Sequence, residues 1–157
     1  WSAEDAYIVE DINKYSLRNK VSPFLMIALI REESYFNPLA LSPSNAIGLT
    51  QILPSTAREV SERKGYGTIN EFLLFNPEIN IKYGCAYFAQ LKRSQNNKNI
   101  LAVASYNGGA GAVSSWLNNI NSQDADEFIE YIPYPETKNY VKKVFRSYWN
   151  YVRLYGE

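Results

Sequence analysis

The chain has 157 residues, of which 46% are hydrophobic, and 16 basic residues balance 16 acidic ones. This fits one soluble domain with its own core, and no basic run or acidic tail points to nucleic acid or a membrane surface as partner. Histidine is absent and there is one cysteine. That excludes an internal disulfide, Ser-His-Asp and Cys-His nucleophiles and the usual zinc sites, and leaves any proton transfer to Asp, Glu, Lys or Tyr.

In chain order, Ser2 and Asp5 form a capping-box pattern, opening a helix with Ile8, Ile12 and Tyr15 on one face. Ser22-Pro23 is a cap followed by proline at the first helical position; its helix runs to about Tyr35 and stops before Pro38. Residues 37–51, with two prolines, Asn45 and Gly48, read as a loop. Pro54 opens a third helix ending near Gly65, and Asn76-Pro77 opens a long one to about Ser94. Further helices cover about Asn99 to Tyr106, breaking at Gly108-Gly109, and about Ala112 to Asn119. Asp124 caps another that ends before Pro133. The last helix, Glu136 to about Tyr155, carries Val141, Val144, Phe145, Tyr148, Val152 and Tyr155 at helical spacing. No strand, repeat or low-complexity linker is visible, so the prediction is a single compact all-α domain over residues 1–157. Cys85, among Tyr83, Ala86, Tyr87 and Phe88, reads as a small core residue.

Four segments carry candidate chemistry. The helix after Pro23 is apolar all round from Phe24 to Ile30, hence buried, and closes on Arg31-Glu32-Glu33-Ser34. Both glutamates continue an apolar stripe, and periodicity does not choose between them. A carboxylate in such surroundings has its charged form disfavoured, as a glycosidic general acid requires. The plainer reading is a solvated helix end with a local Arg31 ion pair. In the second segment, Gly48-Leu49-Thr50-Gln51, the amide of Gln51 offers a donor and an acceptor beside apolar residues. The third, Ser105-Tyr106-Asn107-Gly108-Gly109, presents a tyrosine face and an amide at a helix end. The fourth runs from Tyr131 to Tyr140 and puts Glu136 at the start of the final helix, where helix stabilisation alone would also account for it.

In this order the segments resemble the catalytic domain of soluble lytic transglycosylases, a lysozyme-like family related to goose-type lysozymes. The resemblance covers about Val21 to Tyr155. It rests on Arg31-Glu32-Glu33-Ser34, Phe36-Asn37-Pro38, Ser42, Gly48-Leu49 with Gln51 and Pro54, Asn76-Pro77, Tyr106-Asn107, and Ile132-Pro133 with Glu136-Thr137 and Tyr140-Val141. The family's catalytic glutamate directly precedes the serine, so the resemblance implies Glu33 rather than Glu32. Three positions depart from the pattern: Thr50 for methionine, Ser105 for alanine and Asn45 where glycine is common. Thr50 and Ser105 would then alter the shape and polarity of the cleft wall.

The resemblance implies a goose-type helical fold and cleavage of the β-1,4 bond between N-acetylmuramic acid and N-acetylglucosamine in peptidoglycan strands. Glu33 would protonate the leaving oxygen and then take the proton from the muramyl 6-hydroxyl, leaving a 1,6-anhydromuramyl end. Ser42, Gln51, Tyr106 and Asn107 would orient the sugars, with Glu136 and Tyr140 completing the wall. No metal or cofactor is implied, and a monomer in the periplasm or cell envelope is expected. The alternatives are a goose-type lysozyme using water and a non-catalytic glycan-binding module. The longest apolar run, Phe24 to Ile30, is far below the roughly 20 residues of a membrane span. The start at Trp1 rather than Met suggests the C-terminal part of a longer, exported protein.

Overall fold

The computed structural model describes residues 2–120 and 124–156. Among them are eight α-helices: α1 (Ala3–Arg18), α2 (Pro23–Ser34), α3 (Pro54–Lys64), α4 (Pro77–Ser94), α5 (Asn99–Gly108), α6 (Ala110–Asn118), α7 (Ala125–Tyr131) and α8 (Pro135–Tyr155). A 3-10 helix covers Glu71–Phe75, and the described residues contain isolated β-bridges, Leu41 to Ile47 and Ile47 to Ile52, but no strand. The chain divides into two units, Trp1–Ala89 and Gln90–Glu157, with the boundary inside α4.

In the first unit, α1 packs on α2. The capping box is complete: Ser2 Oγ accepts from the Asp5 amide, and Asp5 accepts from the Ser2 amide at 2.7 Å. Ile8, Ile12 and Tyr15 are buried as their spacing predicts. In α2, Leu25 to Ile30 are all buried; each of the larger side chains, Leu25, Met26, Ile27, Leu29 and Ile30, contributes about 1.5–3 kcal/mol by leaving water. This helix ends where Tyr35 (φ 50°) and Phe36 (φ 61°) turn left-handed, three residues before the proline credited with stopping it. A second apolar group joins Ile47 and Ile52 of the loop to Ala57 and Val60 of α3, Leu74, and Tyr83 and Ala86 of α4.

The 3-10 helix was not legible in the sequence. Of its apolar residues Leu74 alone is fully buried, while Phe72 and Leu73 are exposed, so no amphipathic stripe marks it. Asn70 starts it by accepting from the Phe72 amide, and Asn76 then caps α4 by accepting from the Ile79 amide.

In the second unit, α5 packs on α6 and α8, and α7 packs on α8. The expected break at Gly108-Gly109 narrows to Gly109, whose φ of 93° separates α5 from α6; α6 therefore begins two residues earlier than its periodicity suggested. Trp116 of α6 meets Tyr134 edge-on at 5.0 Å and lies near Phe128. The Phe128 amide bonds to the Asp124 carbonyl, where α7 was expected to start.

Candidate active site

Glu33 and Ser34 form the last turn of α2, and Glu33 is half-buried. The expected ion pair is present, from Arg31 to Glu32 at 2.8 Å, and the Arg31 guanidinium also lies over the Tyr35 ring at 5.8 Å. Ser34 is buried, and its hydroxyl is shared between the carbonyls of Ile30 (3.2 Å) and Leu49 (2.8 Å). The second of these bonds ties the end of α2 to the segment that ends in Gln51.

That segment is a set of turns rather than an open loop. The amides of Ile47 and Ile52 bond each other's carbonyls, and the Gly48 amide bonds to the Ala40 carbonyl. Gln51 takes a left-handed φ of 51°, and its amide group donates to the carbonyls of Gly48 (2.9 Å) and Ala40 (3.2 Å). Ser42 uses its hydroxyl within the turn, accepting from the Ala46 amide and bonding Ser44 Oγ, each at 3.0 Å. Both predicted sugar contacts thus also brace their own backbone.

Asn80 of α4 was missed by sequence reasoning. It is 1% exposed, and its carboxamide makes four hydrogen bonds. Oδ1 accepts from the Thr50 amide (2.9 Å) and hydroxyl (2.7 Å); Nδ2 donates to the carbonyls of Ile47 and Leu74, both at 2.8 Å. A polar residue one turn before Gly84, in an otherwise apolar helix face, was the available signal.

In the second unit, Tyr106 and Asn107 are half-buried at the end of α5. The Thr137 hydroxyl donates to Asn107 Oδ1 at 2.8 Å, so the third and fourth sequence segments meet here. Gly108 permits this, because a Cβ there would lie 3.1 Å from Thr137 Oγ1 and 3.0 Å from the Trp116 ring. Glu136 is exposed in the first turn of α8, and Tyr140, one turn on, is buried beside Val141 and Val144. Among the described residues no group of His, Cys, Asp and Glu side chains could hold a metal ion.

Residues 10–129 match the transglycosylase SLT domain family. The chain belongs to that family. It is 35% identical over 144 residues to the soluble lytic murein transglycosylase of Escherichia coli strain K12, covering 88% of this chain and 22% of that one. The solved structure of the 70 kDa soluble lytic transglycosylase from Escherichia coli superposes with a TM-score of 0.90 at 33% identity, over 94% of this chain and 24% of that one. An inactive mutant of the lytic transglycosylase Slt from Pseudomonas aeruginosa superposes with a TM-score of 0.88 at 32% identity, over 92% and 24% of the two chains. The all-α lysozyme-like fold read from the sequence is therefore the observed one.

The three departures from the family pattern take on physical meaning. Asn45 has a φ of 68°, and asparagine is the side chain that best tolerates this region in place of glycine. Thr50 and Ser105 do not alter a cleft wall as expected: they are 0% and 1% exposed, so both act on packing. Ser105 Oγ is buried without a hydrogen-bond partner among the described residues.

Proposed function

We propose that this chain is the catalytic part of a lytic transglycosylase acting on peptidoglycan strands in the cell envelope, with Glu33 as its single acid and base. Membership of the SLT family over residues 10–129 carries this reading. The inactive Pseudomonas aeruginosa relative, in which a glutamine replaces one glutamate, supports an essential carboxyl group. The chain spans 22% of its Escherichia coli relative's length.

The chemistry asks for a carboxylic acid at the glycosidic oxygen and, after bond cleavage, a carboxylate near the muramyl 6-hydroxyl. Protonated Glu33 donates to the β-1,4 oxygen, and the substrate's 2-acetamido group stabilises positive charge at C1. The 6-hydroxyl oxygen then bonds C1 while its proton returns to Glu33, and no water is consumed. A half-buried glutamate on a helix end held by Ser34 suits a group that serves twice without moving. Gln51, Ser42, Tyr106, Asn107, Glu136 and Tyr140 are the proposed sugar contacts. No helix among the described residues is long and apolar enough to cross a membrane.

The test is digestion of purified peptidoglycan with the chain and with Glu33→Gln, followed by mass spectrometry of the products. Anhydromuramyl ends are expected from the first and none from the second. Reducing ends would make the chain a lysozyme, and unchanged cleavage by Glu33→Gln would remove Glu33 from the mechanism.

A further inference from the structure

We infer that Asn80 is the positioning residue of this site: from α4 it holds the 47–51 segment in the form that seats Gln51 and supports the end of α2 carrying Glu33. The inference rests on the reading of Glu33 and Gln51 above. Asparagine has two donors and two acceptor positions on its carboxamide, and all are used here. Two bonds go to residue 50, one to residue 47 and one to residue 74, the end of the 3-10 helix. Between the two clamped positions lies Leu49, whose carbonyl receives the Ser34 hydroxyl. Residue 51 follows directly, in a left-handed conformation that a non-glycine residue holds only when its surroundings impose it. The path from Asn80 to the residue beside Glu33 is thus two hydrogen bonds and one residue of backbone.

Two glycines are shaped to this clamp. A Cβ on Gly48 would lie 2.4 Å from Asn80 Nδ2 and 2.8 Å from the Leu74 carbonyl oxygen. A Cβ on Gly84, one turn after Asn80 on α4, would lie 2.4 Å from Thr50 Cγ2. The missing Cβ atoms let the backbone approach the clamp closely from both sides. Thr50 adds a bond of its own, because its hydroxyl, unlike a methionine side chain, donates to Oδ1. In this chain residue 50 has become part of the clamp.

Thr50→Val keeps the shape of residue 50 and removes that donor; Thr50→Ser keeps the donor. Asn80→Asp keeps the size of residue 80 but turns two donors into lone pairs facing the Ile47 and Leu74 carbonyls. All are made in the intact chain and assayed below their melting temperatures, with amide exchange of residues 47–51 read beside turnover on peptidoglycan. For Thr50→Val, exchange in the segment should rise about tenfold while α4 stays protected. Its kcat should fall about fivefold with KM within about twofold, and Asn80→Asp should lose about 100-fold. Thr50→Ser should restore exchange and kcat together, which a general loss of stability would not do. Wild-type exchange and turnover in Thr50→Val overturn the inference, as does a kcat that falls only with the folded fraction. If Asn80→Asp does not fold, the two Thr50 variants decide. If the wild-type chain releases no anhydromuramyl product, the functional reading fails while the exchange measurement still decides the clamp.

Discussion

Replacing Gly84 by alanine reverses an ordinary rule. In a helix interior that change gains about 1 kcal/mol, because alanine loses less backbone freedom on folding. Here the new methyl would meet Thr50 Cγ2 at 2.4 Å, Oγ1 at 2.6 Å and Cβ at 2.7 Å. These are well inside contact distance, and Thr50 is fully buried, held by two bonds to Asn80. Overpacking of this kind costs about 1–3 kcal/mol. Pushing Thr50 away also stretches its two bonds to Asn80, and a buried group that loses its partner costs about 1–3 kcal/mol. The balance is a net loss of about 2–3 kcal/mol, or about 5–10 °C in Tm for a chain of this length. Thermal unfolding followed by circular dichroism measures it. Thr50→Ala removes two of the three clashing atoms, so the double variant should be more stable than the summed single effects by about 1–2 kcal/mol. A neutral or stabilising Gly84→Ala, or strict additivity with Thr50→Ala, would refute the close approach of α4 to residue 50.

Three further outcomes follow from the same structure. Ser34→Ala removes the hydroxyl bond to the Leu49 carbonyl and should destabilise the chain by about 1–2 kcal/mol, with lower turnover on peptidoglycan; wild-type stability in denaturant titration would contradict this. Burial pushes the Cys85 thiol up to about 12, so at pH 8 almost none is thiolate and Ellman's reagent should react only on unfolding. A native-state reaction at the rate of free cysteine would rule this out. The Tyr15 hydroxyl, first, and then Lys14 hold the Glu78 carboxyl below its ordinary value of 4.5. A lowered folded pKa stabilises above the unfolded value and loses that contribution as pH falls through the folded one. Glu78→Gln should therefore lower Tm at pH 6 and converge with wild type in strong acid; a gap that persists there would refute the assignment.

Most helix boundaries were legible because they are written in local chemistry. Ser2 with Asp5, Ser22 with Pro23, Pro54 with Gly65 and Asn76 with Pro77 each satisfy or remove the unpaired groups of a helix end within a few residues of sequence. The unbroken apolar run of α2 declared its burial in the same way. Where local signals were weak, the reading stopped. The 3-10 helix has no amphipathic stripe, and the end of α2 depends on Tyr35 and Phe36 adopting φ values that their side chains do not advertise.

The candidate site divides along the same line. The ordered motifs sufficed to identify the SLT family, since those residues keep their order along the chain, and the resemblance is what makes Glu33 the proposed acid and base. The uses of Thr50, Ser105 and Asn80 were beyond the sequence, because each depends on burial or on partners far along the chain, such as the 30 residues between Thr50 and Asn80. Thr50 and Ser105 looked like wall residues and are interior ones. Asn80 looked like nothing in particular, yet it makes four buried hydrogen bonds around the segment that holds Gln51. By itself the sequence determined most helices and their caps, which are set by neighbours within a few turns, and, through motifs in a fixed order along the chain, the family. Only the tertiary structure decided which polar groups are buried and what they hold, because a hydrogen bond's partner is fixed by packing between elements and not by spacing along them.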